Sequence, residues 1–163
     1  MAAVPPAIVV VVSTRAAAGT RPDTVGPDLV DRLREAGWDV VLTPEVLPDD
    51  EAQLSARLIA LVDAGHRLIV TTGGTGLSPS DRTPEATIKV GERQVPGIAE
   101  LMRSAGTAST PLAALSRGVA VVRKQALIVN LPGSPKGADQ SLLAVTPILR
   151  HALDQLSGAD HHG

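Results

Sequence analysis

The sequence predicts an α/β fold in which a mainly parallel sheet carries helices on both faces. Three observations lead there. Ala7 to Ser13 is an unbroken, valine-rich apolar run, and continuous rather than alternating apolarity marks a strand buried on both sides. Strand-like and helix-like segments then alternate through the first half of the chain, the pattern of βαβ units. Finally, the apolar run Leu68-Ile69-Val70 leads straight into the glycine-rich stretch Thr71 to Pro84, and a helix-like segment leads away from Pro84. In open sheets of this kind ligands bind beyond the carboxyl ends of the strands.

Composition bounds the rest. A chain of 163 residues, 44% of them apolar, fits a single domain over residues 1–163 with a sizeable core. Trp38 is the only aromatic residue, so that core is built from Val, Leu, Ile and Ala. A net charge of -2 and the lack of stacking side chains argue against a nucleic-acid partner. With no cysteine there are no disulfides, no thiolate metal site and no thiol nucleophile, which fits a cytoplasmic location. The first apolar run is too short to span a bilayer, so no membrane association is expected. The tail, residues 158–163, is expected to be disordered.

After the first strand comes a loop of small residues, Thr14 to Gly26, and Pro27 suits the first position of a helix. Leu29, Val30, Leu33 and Ala36 share one face of that helix, and Gly37 ends it. Trp38 to Leu42 reads as a second strand and Pro44 to Asp50 as a loop, with Asp49 or Asp50 capping the next helix. Leu54, Leu58, Leu61 and Val62 are its buried stripe. His66 to Thr71 is the third strand. Helical segments follow near Glu85 to Val90, Pro96 to Ala105 and Pro111 to Ser116. Gly118 to Val122 and Ala126 to Asn130 read as a hairpin joined by Arg123-Lys124-Gln125. After the turn Leu131 to Gly137 the chain is helical, with Pro147 splitting the helix and Thr146 capping its second half.

If these strands are parallel, four loops meet at one sheet edge: Ser13 to Gly26, Pro44 to Asp50, Thr72 to Asp81 and Leu131 to Gly137. The third carries three glycines in four residues, Gly73, Gly74 and Gly76. Glycines let the backbone approach a ligand closely, and successive N–H groups make an anion-binding concavity. The loop is not a Walker A motif, since no Gly-Lys-Ser/Thr follows, and it lacks the third glycine of a dinucleotide fingerprint. No histidine falls in these loops, so a Ser-His-Asp arrangement has no support. Phosphoryl or nucleotidyl transfer fits better, because it relies on positioning and charge rather than on a protein nucleophile. Two carboxylates from separate loops with substrate phosphates would suit Mg²⁺.

Thr71-Thr72-Gly73-Gly74-Thr75-Gly76 followed by Asp81-Arg82-Thr83-Pro84-Glu85-Ala86-Thr87 resembles the signature of the molybdenum-cofactor biosynthesis family of MogA/MoaB type. So do Ser13 through Gly26-Pro27, Pro48-Asp49-Asp50, Val95 to Glu100, Leu115-Ser116-Arg117 and Asn130-Leu131-Pro132-Gly133-Ser134-Pro135-Lys136-Gly137, together covering roughly residues 7 to 140. The resemblance implies a three-layer α/β/α sandwich with a mainly parallel sheet, the molybdenum-cofactor-biosynthesis fold, and a homotrimer. It implies a molybdopterin adenylyltransferase that moves AMP from Mg-ATP to the phosphate of molybdopterin. Asp49 and Asp81 match the family's two functional aspartates and are assigned to catalysis and to Mg²⁺. Ser13, Thr72, Gly73, Gly74, Thr75, Gly76, Ser78, Pro132, Gly133 and Ser134 are assigned to substrate binding. The alternative is a non-catalytic molybdopterin-binding or scaffold module that hands the pterin to a molybdenum insertion enzyme. One departure stands out: many members carry an acid after the first-strand serine, where this chain has Thr14.

Overall fold

Valine-rich β1 (Ala7–Val12) is buried along its whole length, and the sheet is laid out around it. In the computed structural model, which describes residues 3–158, the elements follow as α1 (Thr14–Ala17), α2 (Val25–Glu35), β2 (Glu45–Leu47), α3 (Glu51–Asp63), β3 (Leu68–Thr72), α4 (Thr83–Val90), β4 (Arg93–Gln94), α5 (Pro96–Thr107), a 3₁₀ turn (Pro111–Leu115), β5 (Ala120–Arg123), β6 (Ala126–Leu131) and α6 (Pro135–Leu156). The strands form one sheet in the order β2-β1-β3-β6-β5-β4. β2, β1, β3 and β6 are mutually parallel, whereas β5 runs antiparallel to both of its neighbours. Among the described residues, no helix is long and apolar enough to cross a membrane. Of the predicted disordered tail, all but Gly158 lies outside the described residues.

Alternation along the strands divides the core into two layers. Ala7, Val9, Val11, Leu68, Val70, Leu127 and Val129 meet residues of α2, α5 and α6 on one face. Ile8, Val10, Val12, Ile69 and Ile128 meet α3 and α4 on the other. The predicted three-layer sandwich is therefore present, and its parallel strands bring all four anticipated loops to one edge.

Two predicted elements differ. Trp38 to Leu42 contributes only one bridge, Val40 with Ala7, and the second strand is Glu45–Leu47, inside the predicted loop. Pro44 has no N–H to give to a ladder, so pairing with β1 lapses and resumes beyond it. The last helix is not split at Pro147: α6 runs unbroken from Pro135 to Leu156. Its buried stripe, Leu142, Val145, Leu149 and Leu153, continues past the proline and holds both halves on the sheet. Thr146 does not cap a second helix, since its hydroxyl donates to the carbonyl of Leu142 at 2.6 Å. Smaller differences are a short α1 inside the first loop, an α2 that starts at Val25 rather than Pro27, and the short edge strand β4. Trp38 is buried, and the guanidinium of Arg150 on α6 lies 4.2 Å from its ring centre and donates to the carbonyl of Gly37.

Two internal devices hold the glycine loop. Asn130 on β6 is buried. Its amide donates to the hydroxyls of Thr71 on β3 and Thr87 on α4, both at 3.0 Å, and its carbonyl accepts from the N–H of Val119. Thr87 donates to the carbonyl of Thr83, and Thr83 donates to that of Gly73 at 2.9 Å. The second device is Arg117, between the 3₁₀ turn and β5. Its guanidinium donates to the carbonyls of Gly76 and Asp81 and to the carboxylate of Glu85 at 2.6 Å. That hydrogen bond is the main reason the Glu85 carboxyl is held below the usual range, although burial pushes the other way.

Three outcomes follow from these contacts. Asn130→Ala strips partners from buried groups on three elements and lowers stability by about 2–4 kcal/mol in denaturant unfolding. Pro147→Ala restores a donor within a continuous helix and raises stability by roughly 1–3 kcal/mol, where a split helix would gain nothing. A carboxylate with a depressed folded-state pKa stabilises at neutral pH, and this contribution disappears as pH falls through that folded value. The thermal-midpoint gap between the wild type and Glu85→Gln should therefore close as pH drops from 7 to below about 4. A pH-independent gap would exclude the ion pair as its source.

Candidate active site

The chain turns from β3 into the loop at Gly73, φ +99°, and Gly74, φ +68°. Side chains disfavour this left-handed backbone. At Gly73 a methyl group would also collide with the carbonyl of Val12 at the end of β1, and at Gly74 with the hydroxyl of Thr83. Gly133, after β6, packs so that its own Cβ would sit 3.2 Å from the Cα of Gly73. The ends of three parallel strands thus meet backbone to backbone, and Thr72 ties two of them by donating to the carbonyl of Pro132 at 2.7 Å.

Beyond this junction the loop forms one wall of a cavity of about 630 Å³. Gly74, Thr75, Gly76 and Asp81 line it on one side, and Pro132, Gly133, Ser134 and Lys136 at the start of α6 line it on another. Ala99 and Met102 of α5, with Leu112, Ala113 and Leu115 of the 3₁₀ turn, supply an apolar wall. The N–H of Gly73 donates to the carbonyl of Leu131 at 3.2 Å, closing the turn. Among the described residues no hydrogen bond uses the N–H groups of Gly74, Thr75 or Gly76. Three consecutive donors are thus uncommitted on residues that line the cavity, the kind of set from which anion-binding concavities are built. Of the predicted phosphate cradle, the N–H of Gly73 is therefore committed within the turn, and those of Gly74 to Gly76 are not.

The two predicted aspartates flank this cradle. Asp81 rests against Gly76, with Oδ2 2.8 Å from the position a Cβ would take there, and it accepts from the N–H of Ser78 at 3.1 Å. It does not cap α4. Asp49 lies beside Gly74, with Oδ1 3.3 Å from that residue's Cβ position. It lines a narrow crevice with Val12 and Thr83 rather than the large cavity. Its Oδ2 accepts from both the N–H and the hydroxyl of Thr14, while its own N–H donates to that hydroxyl. Asp50 is the cap, accepting from the N–H of Gln53 at 2.8 Å. Thr14 therefore fixes the neighbouring acid instead of supplying one.

The remaining predicted residues divide. Thr72, Gly73 and Gly133 line a second cavity of about 280 Å³ with Ser13, Arg21 and Asp23, so Gly133 borders both spaces. Ser13 and Ser134 cap α1 and α6, accepting from the N–H groups of Ala16 and Gly137. Ser78 is exposed and lines neither space, and only its backbone reaches the site. The sequence left two contributors without a role. Arg117 contacts the loop across 36 and 41 residues, a separation that no local pattern reveals. Met102 sits on α5 and Leu112 and Leu115 on the 3₁₀ turn, and nothing in their spacing joins them into one wall.

Among the described residues, no cluster of three or more Asp, Glu or His is arranged to hold a metal. Asp49 and Asp81 are hard oxygen donors beside Gly74 and Gly76, and of the two only Asp81 lines the large cavity.

Comparison with known proteins agrees with this layout. The family model described as "Probable molybdopterin binding domain" matches residues 8–151. The molybdopterin adenylyltransferase of Haemophilus influenzae is 43% identical over 136 residues, covering 82% of this chain and 69% of that protein. A molybdenum cofactor biosynthesis bifunctional protein of Synechococcus elongatus is 38% identical over 95% of the chain, which spans about half of that protein's length. The crystal structure of the molybdopterin biosynthesis enzyme MoaB from Thermus thermophilus superposes with a TM-score of 0.84 at 48% identity, covering 95% of this chain and 98% of that one. With the family model matching residues 8–151 and a solved relative sharing the fold at 48% identity, the chain belongs to the molybdopterin-binding family of MogA/MoaB type.

Proposed function

We propose that the protein is a molybdopterin adenylyltransferase acting on Mg-ATP. The observation that carries this reading is the run of three uncommitted N–H groups, Gly74 to Gly76, set between two carboxylates and facing an apolar wall. The wall suits a flat heterocycle, and the cradle suits the phosphates attached to it. The homologous adenylyltransferases support the same assignment.

In the proposed reaction an oxygen of the molybdopterin phosphate forms a bond to the α-phosphorus of ATP. The bond from that phosphorus to the bridging oxygen breaks, and pyrophosphate departs with the electron pair. The nucleophile belongs to the substrate, so the chain needs no Ser, Cys or His for it. Its own residues hold and orient. Gly74, Thr75 and Gly76 donate to phosphate oxygens as charge redistributes, and such preorganised donors lower the barrier. Lys136, at the start of α6 on the cavity wall, offsets the build-up of phosphate charge together with the positive end of that helix. Asp49 and Asp81 would hold Mg²⁺, which when bound neutralises phosphate charge and favours pyrophosphate as a leaving group. Thr14 holds Asp49 in place through two hydrogen bonds. The same reading extends to a homotrimer in the cytoplasm that passes its product to a molybdenum insertion enzyme.

Incubation of the pure protein with molybdopterin, ATP and Mg²⁺ should yield adenylylated molybdopterin and one pyrophosphate per product. Tight molybdopterin binding without any ATP-dependent product would replace the enzyme with a carrier. Asp81→Asn should lower kcat by about 10²–10³-fold with an unchanged unfolding transition, and retained turnover would remove Asp81 from the chemistry. Because two carboxylates alone bind Mg²⁺ weakly, titration calorimetry should detect the metal only when ATP is present. Binding of equal strength without nucleotide would contradict a shared site.

A further inference from the structure

We propose that Arg117 is a positioning residue for Asp81, which sets that carboxylate against the phosphate cradle without touching substrate itself. This rests on the proposed adenylyl transfer and deepens it. The segment from Gly76 to Asp81 leaves the body of the protein: Leu77, Ser78, Pro79 and Ser80 are all exposed. Arg117 grips both of its ends. Nε donates to the carbonyl of Gly76 at 2.8 Å, Nη2 donates to that of Asp81 at 2.7 Å, and the residue's own N–H donates to the carbonyl of Thr75 at 2.8 Å. The third guanidinium donor, Nη1, is anchored on Glu85 of α4. The fork is planar and rigid, so the positions of Gly76 and Asp81 are fixed relative to each other. That is the geometry that lays Oδ2 of Asp81 against Gly76.

The anchor continues toward the other acid. Arg82, next to Asp81, donates twice to Glu51 at 2.9 and 3.1 Å and lies 3.9 Å from Glu85. Glu51 opens α3 two residues after Asp49. The chain Glu51–Arg82–Glu85–Arg117 thus spans the two aspartate loops. Its outer pair, Arg82 and Glu51, is substantially exposed, with side chains 47% and 33% accessible. Such pairs add little to stability, so holding geometry is the role left for them.

Arg117→Lys tests the assignment, since an ammonium keeps the charge but cannot span three acceptors in one plane. It should fold with a nearly unchanged thermal midpoint and lower kcat about 100-fold, with KM for ATP and for molybdopterin changed by less than about threefold. Arg117→Ala should recover part of its turnover when guanidinium ion is added. Amide exchange at residues 77–81 should accelerate in Arg117→Lys while β3 and β6 keep their protection. Unchanged kcat, a loss confined to KM, or unchanged exchange at 77–81 would overturn the proposal. So would loss of fold and activity together without guanidinium rescue, which would mark Arg117 as structural. If the wild-type protein transfers no AMP, the functional reading fails, and amide exchange still decides whether Arg117 positions Asp81.

Discussion

The structure depends above all on one buried amide. Asn130 joins β6 to β3 through Thr71, to α4 through Thr87, and to the start of β5 through the N–H of Val119. A polar group this deep is tolerated only when its partners are complete. Because they come from different elements, completing the set fixes how the sheet, α4 and the entry to β5 sit together. The link continues from Thr87 to Thr83 to the carbonyl of Gly73. The first residue of the glycine loop is therefore tied to the core rather than to the surface. Aliphatic side chains above and below the sheet could slide without much penalty, but this network specifies a register.

Much of the fold was legible because its causes are local. Ala7 to Ser13 read as a doubly buried strand and His66 to Thr71 as the third strand, and β1 and β3 stand there, buried along their lengths. The alternation of elements pointed to parallel strands, and parallel strands brought the four loops to one edge. The failures have local causes as well. Trp38 and Val40 carry a strand's apolar alternation, but Pro44 denies the ladder a donor, and pairing moves to Glu45–Leu47. Pro147 should have ended a helix, but a stripe that is buried on both sides of it outweighs one missing hydrogen bond.

The loops that build the candidate site were legible in the sequence, and the contacts that support them were not. Glycine spacing pointed to a set of free loop donors, but not to the commitment of the Gly73 N–H to Leu131. The pair Asp49-Asp50 left its division of labour open, and geometry assigns the cap to Asp50 and sets Asp49 against Thr14 and Gly74. Arg117 and Thr14 could not have been found by spacing, since each acts on a residue more than thirty positions away. The apolar wall was hidden for another reason. Met102 belongs to the buried face of α5 and Leu112 and Leu115 to the separate 3₁₀ turn, and only the tertiary fold brings them to one cavity.

The single tryptophan has a practical side. Trp38 is buried beneath Arg150 and lines neither the large cavity nor the smaller one beside it. The protein thus carries one intrinsic fluorophore, with a cation stacked on its ring, placed where α6 closes over the end of α2. Its emission reports the docking of that final helix and is insulated from the two cavities at the strand ends. Optical records of unfolding and of ligand occupancy can therefore be taken on the same sample as separate channels.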